Sequence, residues 1–415
     1  MISTQKYNFI LLIVVAFMSF AVVASMAAYN NDPLKNIRYY YNVEKTENIF
    51  GSDFNANYFA AKKYFSRDSL YFSDQTTRQF SDELAAGSNR TRFVYYPFSA
   101  FFFTPLALLS FGHAFFLLTL LNIFLLIMVI LFLSRFVANQ QRYFSVFSFL
   151  FLFSPVVWSI LERGQTDIII LFFLALCFVF FTKGKSKLSG FFLALASLFK
   201  ITTLFLLPYF YFKDKKVFLS SIISFTVISL ITGANKIFGF VDSLLTFSSY
   251  HSTSYLNTGI FGLFYNRIAS VFIDVKFAHF VYLLAIIPVV ILFIFYFTRV
   301  INKKGNNLAS LAEFGFFLAV MLMLPTVSWI QHSIHLVFIV TAYWVFREKM
   351  TVSKKMVVMD VLLLLILSEP LLLLKFQEIP FSIIFALRPL YIILFLITFY
   401  FTFLNNKNEN SLYRK

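Results

Sequence analysis

Asp53 opens the stretch GSDFNANYFAAKKYF (residues 51–65), an acid among aromatics just after the first apolar run, and a tyrosine-proline corner, FVYYPF (93–98), follows. A carboxylate partly shielded from water can take a proton from an incoming hydroxyl. An Asp at a helix start is also a common cap, and position alone leaves both readings open. Further along, ILERGQTDIII (160–170) gathers Glu162, Arg163, Gln165 and Asp167 between two apolar runs. This is either a turn with solvated charges and a helix-start Asp, or a set of polar groups for gripping sugar hydroxyls.

Lys200, in SLFKITTLFLLP, is a cation inside an apolar stretch, and ionisable residues in that setting are functional candidates by default. Its compact ammonium suits a phosphate; the bland alternative is a side chain that snorkels to the interface. The polar, glycine-containing stretch 248–267 ends on Arg267 and reads as an acceptor-facing loop or as a plain connector. Trp329, Gln331, His332 and His335 cluster in LPTVSWIQHSIHL (324–336). Two histidines without a clear third ligand are weak evidence for a metal, so a hydrogen-bonding role towards phosphate or sugar is the expectation.

The elements that must position these residues are membrane spans. Of 415 residues 60% are hydrophobic, 61 are Phe and 13% are charged, and the apolar runs approach the ~20 residues that cross ~30 Å of hydrocarbon. Spans are predicted near 8–28, 113–134, 143–160, 166–182, 217–233, 278–298, 308–324, 333–346, 356–374 and 386–404, with the first one uncleaved. The expected fold class is therefore an all-α polytopic membrane protein. Its first extracytoplasmic loop is long and carries amphipathic helices, one of them with Phe54, Tyr58, Ala61 and Phe65 as its stripe.

The net charge of +16 does not call for nucleic acid, because the cations fall in short clusters between spans. With the N-terminus inside, 19 of the 35 basic residues face the cytoplasm; nine lie in the first loop and seven in other outer segments. Loops beyond ~60 residues are translocated largely regardless of charge, so the bias fixes the orientation. Eight of the 19 carboxylates lie in the first loop, which places acid–base chemistry outside the cytoplasm. Leu188–Phe212 has basic residues at both ends, so it is expected to be a broken hairpin meeting near Lys200; Phe98–Ser110 is expected to dip into the outer interface. The lone Cys177 supplies no disulfide and no redox or metal pair.

In order along residues 8–346, these segments resemble the GT-C glycosyltransferases, most closely glycosyltransferase family 87, the polyprenyl-phosphate-mannose-dependent mannosyltransferases. The shared features are the acid and aromatics after the first span, the corner YYPFSAFFFTPLALL, the turn at GQTD, a lone Lys after a small-residue helix, and the SWIQHS segment. The chain departs from the pattern at Phe98, where a second Pro is common, at Asp167, which stands for Asn, and at Gln331, which stands for the first of two histidines.

The resemblance implies a GT-C-like bundle of about 11–12 transmembrane helices. It divides the chain into a first helix (1–28), an extracytoplasmic loop (29–112), a transmembrane module (113–232), a second outer loop (233–277), C-terminal helices (278–404) and a tail (405–415). It implies an inverting hexosyltransferase of the bacterial plasma membrane, acting at the outer face on a polyprenyl-phosphate sugar and a glycan or glycolipid acceptor. In that scheme Asp53 is the base and Lys200, His332 and Arg267 hold the donor phosphate. Tyr58, Tyr96, Gln165, Asp167, Trp329 and Gln331 contact sugar or acceptor, and neither a metal nor a cofactor is used. Two rivals predict other patterns: a flippase or transporter would show inverted repeats of interrupted spans, and an envelope-polymer polymerase or ligase would carry its large loop late in the chain.

The orientation has a direct check. In a Cys177→Ala background, a cysteine at Ser88 should react with a membrane-impermeant thiol reagent on intact cells, and one at Ser186 only after lysis. Outside labelling of Ser186 would overturn the orientation.

Overall fold

The computed structural model describes residues 52–66, 70–71, 93–137, 155–251, 259, 282, 307–323, 330–349, 354–367 and 388–399. Every regular element among them is helical. The expected span 8–28, all of 278–298 but residue 282, most of 143–160 and of the first loop, and candidates Arg267 and Trp329 lie outside the described residues. The chain divides into two compact units, residues 37–132 with 157–251, and residues 1–36, 133–156 and 252–415.

The first of these units begins with α1 (Ser52–Lys62), α2 (Pro97–Phe102) and α3 (Phe111–Ser134). Pro97 opens α2 because a first-turn residue has no intrahelical use for its N–H. At 24 residues α3 is long and apolar enough to cross a membrane. Its Ala114, Leu118, Asn122, Leu125 and Val129 recur at helical spacing and turn inward, while Phe116, Leu120, Ile123, Phe124, Ile127 and Leu131 stand exposed. An apolar outer face of that kind suits hydrocarbon rather than water.

Then come α4 (Pro155–Arg163), α5 (Asp167–Thr182), α6 (Ser186–Phe199), a 3-10 turn (Ile201–Leu206), α7 (Leu207–Lys213), α8 (Lys215–Ile231) and α9 (Ile237–His251). Residues 188–212 are thus divided between two helices and a 3-10 turn, and the break falls at Lys200, whose backbone is extended at φ −145°, ψ 107°. Asp214 caps α8 by accepting from the amides of Lys216 (2.9 Å) and Val217 (3.4 Å), and Ser186 Oγ donates to its other oxygen at 2.5 Å. That carboxylate spends itself on helix geometry. At Gly190 a Cβ would stand 2.5 Å from the Val217 carbonyl and 2.8 Å from the Ser221 amide, so the absence of a side chain lets α6 and α8 meet backbone to backbone.

One sequence expectation is corrected here: α1 does not bury a single apolar stripe. Phe54, Tyr58 and Ala61 are buried, but so are Asn55, Ala56, Asn57 and Ala60 on its other faces, whereas Phe65 lies past the helix end and is 80% exposed. Surrounding protein explains the difference. The Phe54 ring meets Phe103, Phe111 and Phe115 at centroid distances of 5.6, 5.7 and 6.3 Å, and Ser99 Oγ donates to Asn57 Oδ1 at 2.7 Å.

The second unit contains α10 (Asn307–Met323), a 3-10 turn (Ile330–Leu336), α11 (Val337–Lys349), α12 (Lys354–Leu367) and α13 (Arg388–Phe399). Gly315 does for α10 and α11 what Gly190 does above, since a Cβ there would lie 2.5 Å from the Ile339 amide. Arg347 pairs with Asp360 at 3.2 Å, and Tyr343 also donates to Asp360, so the buried charge on α11 meets its counter-charge on α12. Burying either charge alone would cost several kcal/mol, at the ~3–5 kcal/mol scale of a broken buried pair.

The close approach at Gly190 sets a test. Gly190→Val should lower the stability of purified protein by about 1–3 kcal/mol as an overpacking change, read as a fall in thermal midpoint in detergent. Gly112→Ala, with no atom within 4 Å of the added carbon, should leave the midpoint unchanged or slightly raised.

Candidate functional site

The polar centre of the first unit hangs on the five-residue turn Arg163–Asp167 between α4 and α5. Gly164 makes that turn possible with φ +67°, a left-handed conformation that a side chain disfavours. The Gly164 amide returns to the Leu161 carbonyl at 3.3 Å and the Gln165 amide to Ile160 at 2.9 Å, the paired bonds of a Schellman C-cap. Gly164 also sits under α1, where a Cβ would come within 2.6 Å of Phe54 Cβ. The turn is thereby pressed against the helix that carries Asp53.

Asp53 lies in the first turn of α1, and its side chain points to the 163–167 turn. Arg163 grips both carboxylate oxygens, Nε to Oδ2 at 2.5 Å and Nη2 to Oδ1 at 3.1 Å, and the Gln165 amide donates to Oδ2 as well. A bidentate fork of this kind is the strongest form of charge-assisted pairing. Arg163 keeps 19% of its side chain exposed, whereas Asp53 keeps 5%, so the guanidinium is the more accessible partner.

Gln165 is a link rather than an endpoint. Because a carboxylate only accepts, the amide must turn its NH₂ to Asp53, which leaves Oε1 facing the Tyr95 hydroxyl at 3.2 Å as acceptor. Burial, then the carboxylates of Asp53 and Asp167, push the Tyr95 pKa well above its ordinary value, with Arg163 opposing them. Tyr95 is therefore a donor and not a base. Asn122, the polar member of the inward stripe of α3, donates to the Gln165 carbonyl at 3.4 Å.

Two residues on, Asp167 starts α5 fully buried and accepts from Lys200 Nζ at 3.0 Å. Lys200 reaches it from the break after α6. The site thus holds two anions and two cations from four segments, with Gln165 and Asp167 on one short turn joining them.

The other candidates fall elsewhere. The Tyr58 hydroxyl donates to the Leu109 carbonyl at 2.6 Å, with Lys62 over its ring, and Tyr96 packs its ring on Phe225 and Phe240. Gln331 and His332 belong to the second unit, where Gln331 is buried, His332 is half-buried and the His332 carbonyl faces His335 Nδ1 at 2.8 Å. No group of three or more His, Cys, Asp or Glu among the described residues could hold a metal.

The sequence leaves Arg163 open between a solvated charge and a sugar-gripping group, does not pair it with Asp53, and favours Tyr96 over Tyr95. A lone Arg next to apolar spans, with an acid elsewhere outside, was the available signal for the first. For adjacent tyrosines before a proline there is none.

A family model described as glycosyltransferase family 87 matches residues 93–325 of the chain. No curated protein matches it.

The Asp167–Lys200 pair carries its own prediction. Lys200→Met leaves a buried carboxylate without its ammonium and should destabilise the purified protein by about 3–5 kcal/mol. Adding Asp167→Asn should recover part of that loss in thermal melts. Two fully additive losses would show that the pair is not coupled.

Proposed function

The chain belongs to glycosyltransferase family 87, a family of membrane glycosyltransferases, and on that premise we propose that it moves one hexose from a polyprenyl-phosphate sugar to a glycan or glycolipid hydroxyl at the outer face of the membrane. The mannose of the resemblance is the first sugar to try. The observation that carries this reading is the assembly of a buried carboxylate and a charged ammonium on one turn, Asp53 through Gln165 and Lys200 through Asp167.

Inverting transfer needs two things at opposite ends of the breaking bond. The acceptor O–H must lose its proton as its oxygen attacks the anomeric carbon, which suits Asp53 as general base. The bond from that carbon to the phosphate oxygen breaks, and its electron pair leaves on polyprenyl phosphate. Lys200, as a point charge with three donors, is suited to stabilise that departing anion. The break at Lys200 leaves a discontinuity beside which a lipid chain can enter.

Membranes containing the protein, given radiolabelled polyprenyl-phosphate sugars one at a time, should consume one of them and release polyprenyl phosphate. Asp53→Asn keeps the size of the side chain and removes the basic oxygen. Transfer should fall by about 10²–10⁴-fold, the range for losing a general base. An Asn variant with near wild-type turnover at equal expression would sink the assignment.

A further inference from the structure

We infer that Oδ1 of Asp53 is the oxygen that takes the acceptor's proton, and that Arg163 and, through Gln165, Tyr95 are the positioning residues that present it. The inference rests on Asp53 being the base and goes on to say which atom acts and what aims it. Each carboxylate oxygen offers two in-plane lone pairs. Oδ2 spends both, one on Arg163 Nε at 2.5 Å and one on the Gln165 amide. Oδ1 spends one, on Arg163 Nη2 at 3.1 Å, and keeps the other.

The two grips also fix the plane of the carboxylate. A guanidinium fork is flat, so the two bonds to Asp53 hold its plane close to that of the guanidinium. Gln165 adds a third contact, to Oδ2, and the Tyr95 hydroxyl holds the far end of that amide. The lone pair left on Oδ1 therefore points in one direction. As the acceptor oxygen bonds to the anomeric carbon, its proton moves to Oδ1 and the carbon–oxygen bond to phosphate breaks with its electrons on the leaving group. After release of product, the protonated carboxyl returns its proton to water.

The experiment is steady-state kinetics in both substrates for wild type, Asp53→Asn, Arg163→Lys and Tyr95→Phe, with a thermal melt of each. Arg163→Lys preserves the positive charge and loses the fork, so kcat should drop by about 10²-fold, the cost of a misplacement near 1 Å, while KM for donor and acceptor stays close to wild type. Tyr95→Phe removes the hydroxyl that holds Gln165 Oε1, so the amide is anchored only at its Asp53 end and its grip on the carboxylate loosens; it should lower kcat in the same selective way. A Lys variant with wild-type kcat, or with a loss confined to KM, overturns the inference. Should the Lys variant fail to fold, Tyr95→Phe decides alone, and wild-type kcat there overturns it equally. Asp53→Asn separates the two levels: an active Asn variant removes the base itself, whereas an inactive one beside fully active Lys and Phe variants removes only the positioning.

Discussion

The ion pair between Asp53 and Arg163 joins residues 110 apart in sequence, and the architecture of the first unit depends on it. Neither charge is tolerable alone in surroundings this apolar, where an unpaired ion costs several kcal/mol. The pair consequently constrains everything that brings it together. Helix α1 must be enclosed by aromatic rings rather than lie on a surface, and α4 must end at Gly164. The turn after it must then pass close under Phe54.

The same rule orders two other pairs of charges among the described residues. Lys200 meets Asp167, and Arg347 meets Asp360 with Tyr343 as a third member. Between these polar joints the helices pack by rings and by missing side chains, as at Gly190 and Gly315. In a chain that is 60% hydrophobic, apolar contacts offer little to tell one helix pairing from another. Paired charges and close-packed glycines supply that discrimination.

Local pattern made part of this legible. The 24-residue apolar helix from Phe111, the interruption at Lys200 and the helix start at Asp53 all follow from composition, charge placement and turn residues within a short window. What the chain does not display locally is which distant groups meet. Arg163 looks like a solvated end-of-helix charge until the acid from the first loop is placed beside it. The choice between Tyr95 and Tyr96 turns on how Pro97 directs the chain into α2, which sends Tyr96 towards Phe225 and Phe240 and leaves Tyr95 to Gln165. The all-round burial of α1 was hidden for a related reason. Its Asn55 and Asn57 lie outside the apolar stripe, yet both are buried and Asn57 is tied to Ser99.

The Gly164 turn has an evolutionary corollary. Because it anchors both Asp53 and Lys200 through residues two apart, the separation between those two side chains is set by one short peptide. Surrounding loops can then diverge in length and composition without retuning that spacing. Insertions within 163–167 would be purged, whereas length changes elsewhere in the chain would leave the spacing intact.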